Sequence, residues 1–195
     1  GNALNVMRTV EELETAGVSA ASIEDTELPQ PFGSVGAPRM LSIEEGVGKM
    51  KAAIEARQDP KFVIAGRTSA CTISNVNDCI TRAKAYEAAG VDMIFLAGVK
   101  TIDDIEAVAA EINIPMVIGG GPTPNLDHYS KIGVRIALQG HKPIMAAVQG
   151  VYDTLKALRD GMPHGDIEYY AKPNLMTQVT RSGDYDRWMR DFLDG

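Results

Sequence analysis

Three places in this chain put residues able to grip an acid or move a proton directly behind a short apolar run. The first is Ser22-Ile23-Glu24-Asp25. Its adjacent carboxylates could hold Mg2+ directly or through the ion's waters, or could be a turn and helix-cap pair. The second, Ala65-Gly66-Arg67-Thr68, ends on a guanidinium. Arginine binds a carboxylate through two parallel hydrogen bonds, so Arg67 implies an acid substrate, with a structural ion pair as the competing explanation. The third is Gln139-Gly140-His141, whose imidazole could donate to a substrate carboxylate, relay a proton, or be structural.

Other candidates carry less. A fourth run leads into Gly119-Gly120-Gly121-Pro122, either a backbone nest for an anion or a plain flexible loop, and a fifth ends at Gly98-Val99 with no ionisable group before Lys100. His128 and His164 read as solvated surface residues. Cys71 and Cys79 have neither zinc spacing nor a nearby histidine, and read as two reduced thiols. Glu45 and Lys49, at i, i+4, read as an ion pair on an exposed helix face.

Helices and strands alternate to position these groups. Helical stripes carry Val6, Val10 and Leu13; Ile43, Val47, Met50 and Ile54; Val76, Ile80, Ala83 and Tyr86; and Ile102, Ile105 and Ile112. A short helix around 126–132 follows, then a long one with Ile144, Val148, Val151, Leu155 and Leu158 on one face. Between them lie short apolar strands at 18–23, 62–65, 91–96, 114–118 and 134–138. Such strands read as buried on both faces, hence parallel. The alternation leaves a doubly wound sheet or a (β/α)8 barrel of the TIM type, and no glycine fingerprint follows the first strand to favour a dinucleotide fold. A closed barrel takes eight strands, so the first three βα units are expected to be missing from this sequence. The barrel domain is expected over 1–161. Residues 162–195 read as an extended connection and then a short amphipathic helix bearing Tyr185, Trp188, Met189 and Phe192, with Asp184 as its N-cap.

Composition narrows the class. The net charge is −7 and the Lys and Arg residues form no basic stripe, which argues against nucleic acid. No apolar run has bilayer-spanning length and no basic-then-apolar leader opens the chain, so no membrane partner and a cytoplasmic location are expected. The apolar face of the long helix and the aromatic tail are too costly to leave in water, which predicts a homo-oligomer.

Several segments together resemble the phosphoenolpyruvate mutase/isocitrate lyase superfamily. They are Gly1 to Val10, Ser22-Ile23-Glu24-Asp25-Thr26, Leu28-Pro29, Glu44-Glu45-Gly46-Val47-Gly48-Lys49, Arg67-Thr68, Ala85-Tyr86-Glu87-Ala88-Ala89-Gly90 and Gly133-Val134-Arg135. Gln139-Gly140-His141 and the tail around Trp188 look most like the oxaloacetate decarboxylase branch. The resemblance implies a (β/α)8 barrel, assembled as a dimer or tetramer that exchanges its last barrel helix. It also implies Mg2+ (or Mn2+), a small carboxylic-acid substrate and an enolate intermediate. By resemblance Glu24 supports the metal through water, Arg67 grips the substrate and His141 faces it, while the family's Asp-x-Asp metal motif would lie just before Gly1. Where the lyases carry a Lys-Lys-Cys-Gly-His-like loop, this chain reads Thr26-Glu27-Leu28-Pro29-Gln30-Pro31-Phe32-Gly33, without cysteine or lysine. The expectation is therefore Mg2+-dependent decarboxylation of oxaloacetate or a close β-keto acid. The alternatives are a carbon–carbon lyase acting on a substituted malate, of the methylisocitrate or dimethylmalate lyase kind, and a non-catalytic fragment.

Overall fold

The computed structural model describes residues 1–30, 32–33, 36, 38–120, 125–168 and 171–193. They form two compact units, Gly1–Gly140 and His141–Gly195, so the long helix groups with the C-terminal residues.

The first unit opens on α1 (Ala3–Thr15). Its exposed first turn is closed by a reciprocal cap: the Asn5 amide N–H donates to the Asn2 side chain, and the Asn2 N–H donates to the Asn5 side chain. Strand β1 (Ala20–Glu24) follows, then α2 (Ile43–Ala56), started by Ser42 accepting from the Glu45 N–H. Next come β2 (Val63–Thr68), a single turn α3 (Ala70–Ile73), α4 (Val76–Ala89) and β3 (Met93–Ala97). The unit ends with α5 (Ile102–Ala109), β4 (Met116–Gly119), α6 (Leu126–Lys131) and β5 (Val134–Leu138).

All neighbouring strands pair in parallel, in the order β1-β2-β3-β4-β5. A doubly wound sheet would reverse its order at a switch point. An unbroken sequential order is that of strands in a (β/α)8 barrel. Four of the five strands begin one or two residues later than their apolar runs, because Phe62 and Val91 are already buried in the approach to the sheet. Glu24 and Arg67 thus sit within the last residues of their strands, where register fixes them, rather than beyond the strand ends.

The expected burial on both faces holds for β4, where Met116, Val117 and Ile118 are all buried, but not for β3 or β5. Ile64, Ile94, Leu96 and Ile118 lie under the helices with Val10, Met50, Ala83, Tyr86, Ile105 and Val108. On β3 the alternate residues Met93, Phe95 and Ala97 are half-buried, and on β5 Ile136 and Leu138 are exposed. At the amino ends of the strands, Asp92 ties the layers together: its Oδ2 accepts from Arg57 Nη1 and from the Ile64 N–H, both at 2.7 Å.

The second unit holds α7 (Lys142–Arg159), a 3-10 turn (His164–Asp166), α8 (Pro173–Val179) and α9 (Ser182–Leu193). The segment expected to be extended contains α8, whose Pro173 stands at its first turn, a position where proline starts helices. Asp184 is not an N-cap. It lies inside the first turn of α9, paired with Arg181 and Arg187, whose guanidinium groups also cover the Trp188 ring. No helix among the described residues is long and apolar enough to cross a membrane.

Candidate active site

Parallel pairing places Glu24 of β1 directly opposite Arg67 of β2. Both side chains leave the face of the sheet away from the helices, and Arg67 Nη1 stands 3.3 Å from Glu24 Oε2. The other carboxylate oxygen, Oε1, accepts from the Thr26 hydroxyl. The guanidinium lies over the ring of Phe95 on β3, its carbon 5.3 Å from the centroid, which orients a cation without consuming a donor. Arg67 Nε is buried and has no hydrogen-bond partner among the described residues, leaving donor capacity for an acid. Phe95 has its place because the next strand carries Gly119, whose side chain, if it were alanine, would meet the ring at 2.8 Å. The pairing rows Glu24–Arg67 and Phe95–Val117 therefore assemble a cation held by a carboxylate in front and an aromatic face behind.

The adjacent carboxylate does not join this group. Successive strand residues point to opposite faces, and Asp25 is fully buried on the helix side. Its Oδ2 accepts from Tyr86 Oη at 2.7 Å and from Arg82 Nη1 at 3.3 Å. Burial pushes the Asp25 carboxyl above its usual range, against the hydrogen bond from Tyr86 and the charge of Arg82. The same burial pushes the Tyr86 phenol up. Expecting Glu24 and Asp25 to hold an ion as a pair is thus corrected by strand geometry.

Lys49 is corrected too. It is buried instead of lying on an exposed face, and its Nζ donates to the Glu24 carbonyl oxygen at 2.6 Å. The i, i+4 spacing to Glu45 says that the two share a helix face but not which way that face looks. Desolvation holds the Lys49 ammonium below its usual range, opposed by the Asp25 and Glu24 charges.

His141 lies in the second unit at the N-cap position of α7, exposed, with no side-chain hydrogen bond among the described residues. Gly119 ends β4, and Gly120 has the left-handed φ of 78° that suits a turn, while Gly121 and Pro122 lie outside the described residues. His128 is a partly exposed partner of Glu106 at 2.7 Å. Cys71 is half-buried and Cys79 buried, both free thiols. The Tyr86, Arg82 and Phe95 supports escape a sequence reading, because spacing marks Tyr86 and Phe95 only as core and does not mark Arg82 as buried.

No group of three or more His, Cys, Asp or Glu side chains converges among the described residues. Glu24, partly exposed, with one oxygen facing Arg67 and the other accepting from Thr26, is the carboxylate here that could meet a hydrated cation through water.

Several known proteins are similar to this chain. A sequence model of the family described as phosphoenolpyruvate phosphomutase matches residues 1–159. An oxaloacetate decarboxylase of Bradyrhizobium sp. (strain ORS 278) is 49% identical over 195 residues, covering 99% of this chain and 67% of the relative. Among solved structures, phosphonopyruvate hydrolase in complex with oxalate and Mg2+ superposes with a TM-score of 0.77 at 28% identity, covering 99% of this chain and 69% of that one. Oxaloacetate acetylhydrolase in complex with the inhibitor 3,3-difluorooxalacetate superposes with a TM-score of 0.75 at 25% identity, covering 98% and 67%. The chain spans about two thirds of the length of these proteins.

Proposed function

This chain belongs to the phosphoenolpyruvate mutase/isocitrate lyase superfamily, and from that premise we propose that it serves the decarboxylation of oxaloacetate or a close β-keto acid. The observation that carries the reading is Arg67, seated on Phe95, facing Glu24 across paired strand ends, its Nε without a partner among the described residues. That geometry suits a planar carboxylate bound beside a group that tolerates a hydrated cation. In the reaction the bond from C3 to the departing carboxylate breaks, its electron pair moves into a C2–C3 double bond, CO2 leaves, and C3 of the enolate is then protonated. Arg67 would hold the carboxylate that remains, fixing the plane in which the breaking bond overlaps the keto group. Glu24 would meet Mg2+ (or Mn2+) through its waters, and the ion, when bound, supplies positive charge that offsets the enolate. His141 is the proposed proton relay or substrate donor. The loop after Glu24-Asp25 contains no cysteine, which weighs against a lyase of the isocitrate type.

Incubating the protein with oxaloacetate and Mg2+ and following pyruvate tests the reading, with methylated malates as the competing substrates. Arg67→Ala should lower kcat/KM by about a hundredfold, the scale expected for losing a charged, bidentate contact. Pyruvate formation that is unchanged by this substitution sinks the assignment.

We also propose that the protein is a homo-oligomer, working in the cytoplasm, with α7 packed on a second copy. Ile144, Met145, Val148, Val151, Tyr152 and Leu155 are all about 60% exposed or more, and no residue of α7 is buried. Covering each such side chain is worth roughly 1.5–3 kcal/mol.

A further inference from the structure

We propose that Asp25, Tyr86 and Arg82 are positioning residues: a buried clamp on the helix side of the sheet that holds Glu24 in place against Arg67. The inference rests on reading Glu24 and Arg67 as the acid-binding pair.

Strand β1 pairs in parallel with β2 through Glu24. Two consecutive residues there are bolted from three directions. The Glu24 carbonyl accepts from Lys49 of α2 at 2.6 Å, and the Asp25 carbonyl accepts from the Leu41 N–H at 2.8 Å. The Asp25 side chain is anchored to α4 by Tyr86 and Arg82. Arg82 is itself fixed, its Nε lying 3.1 Å from each oxygen of Asp78. Even α2 is shaped to the clamp, since Gly46 leaves the space that the Tyr86 hydroxyl fills.

Stability alone is a weak reason for this construction. A buried Asp–Arg pair forfeits so much hydration that apolar side chains of the same shape often hold a fold as well. What apolar packing lacks is direction. A carboxylate tied to two fixed donors sets the path of the backbone that carries it. Because Asp25 and Glu24 are neighbours on opposite faces, fixing one aims the other. Displacement of a catalytic group by about 1 Å can cost on the order of a hundredfold in rate.

The test measures binding of oxalate in the presence of Mg2+ by calorimetry, beside the equilibrium stability of each variant. Tyr86→Phe keeps the buried ring and removes only the donor to Asp25. Its Kd for oxalate should rise about tenfold, the scale of one lost hydrogen bond to a charged group. Arg82→Met should raise Kd at least as much, and Arg82→Lys, which restores a charge facing Asp25, should recover part of the loss. Asp92→Asn is the matched control: it loosens β2 and β3 from their opposite ends and should lower stability while leaving Kd unchanged. An unaltered Kd in Tyr86→Phe or in Arg82→Met overturns the proposal, as does an equal rise in Asp92→Asn. Should Tyr86→Phe fail to fold, the two Arg82 variants decide. Wild-type protein that binds no oxalate overturns it as well, there being no acid site to position. Oxalate binding that depends on Arg67, without turnover of oxaloacetate, sinks the decarboxylase reading and leaves the clamp standing.

Discussion

Replacing Gly46 by alanine should destabilise this protein, although glycine-to-alanine changes inside helices normally do the reverse. Gly46 lies in the first turns of α2, and an added Cβ would overlap Tyr86 Oη and stand 3.0 Å from Cε1 and 3.1 Å from Cζ. Tyr86 is wholly buried and bonded to Asp25, so the ring has nowhere to retreat. The helix gains about 0.8–1 kcal/mol from alanine's better propensity. Against this stand an overpacking cost of about 1–3 kcal/mol and loss of a hydrogen bond to a charged group, about 1.5–3 kcal/mol. The net expectation is a loss of about 1.5–5 kcal/mol. Gly48, two residues along the same helix, supplies the contrast: a Cβ there meets nothing within 4 Å. Gly48→Ala should therefore stabilise, by about 0.5–1 kcal/mol. Urea unfolding of both variants, followed by far-ultraviolet circular dichroism, reads the difference as midpoints moving in opposite directions. If Gly46→Ala is as stable as Gly48→Ala, Tyr86 is not locked as described, and the reasoning from its fixed hydroxyl to Asp25 fails with it.

Two further outcomes follow from the same structure. A hydrogen bond from Cys79 holds the Cys71 thiol below its usual range, while that pairing and burial push Cys79 far up. Iodoacetamide near neutral pH should thus label Cys71 well before Cys79, because the thiolate is the reactive form; equal labelling in the folded protein, mapped by mass spectrometry, contradicts this. Placing charge on the apolar face of α7, as in Val148→Glu with Leu155→Glu, should give a smaller species by light scattering than wild type. A mass identical to wild type, or a wild type that is already monomeric, refutes the oligomer.

Much of this protein is legible in one dimension. Helical and strand periods, punctuated by Gly17 and Gly90, predict the order of elements in the first unit apart from the single turn α3, and β5 lies at the very residues its apolar run marks. The guanidinium of Arg67 and the carboxylate of Glu24 announce themselves by residue type and by following apolar runs. These features are local: they depend on backbone period, side-chain chemistry and the glycines that end helices. The short α8 escapes a sequence reading for the opposite reason, since its few apolar residues carry only a weak helical period.

What the tertiary structure decided is direction and partnership. Spacing says that Glu45 and Lys49 share a face, but only packing turns Lys49 inward to the Glu24 carbonyl. Adjacency makes Glu24 and Asp25 look like one pair of ligands, yet the pleat sends one to the open face and the other into the helix layer. Glu24 meets Arg67, and Arg67 meets Phe95, through pairing between strands that are far apart in the chain. Residue type and period are properties of a segment, whereas register and burial arise only when distant segments compete for the same space.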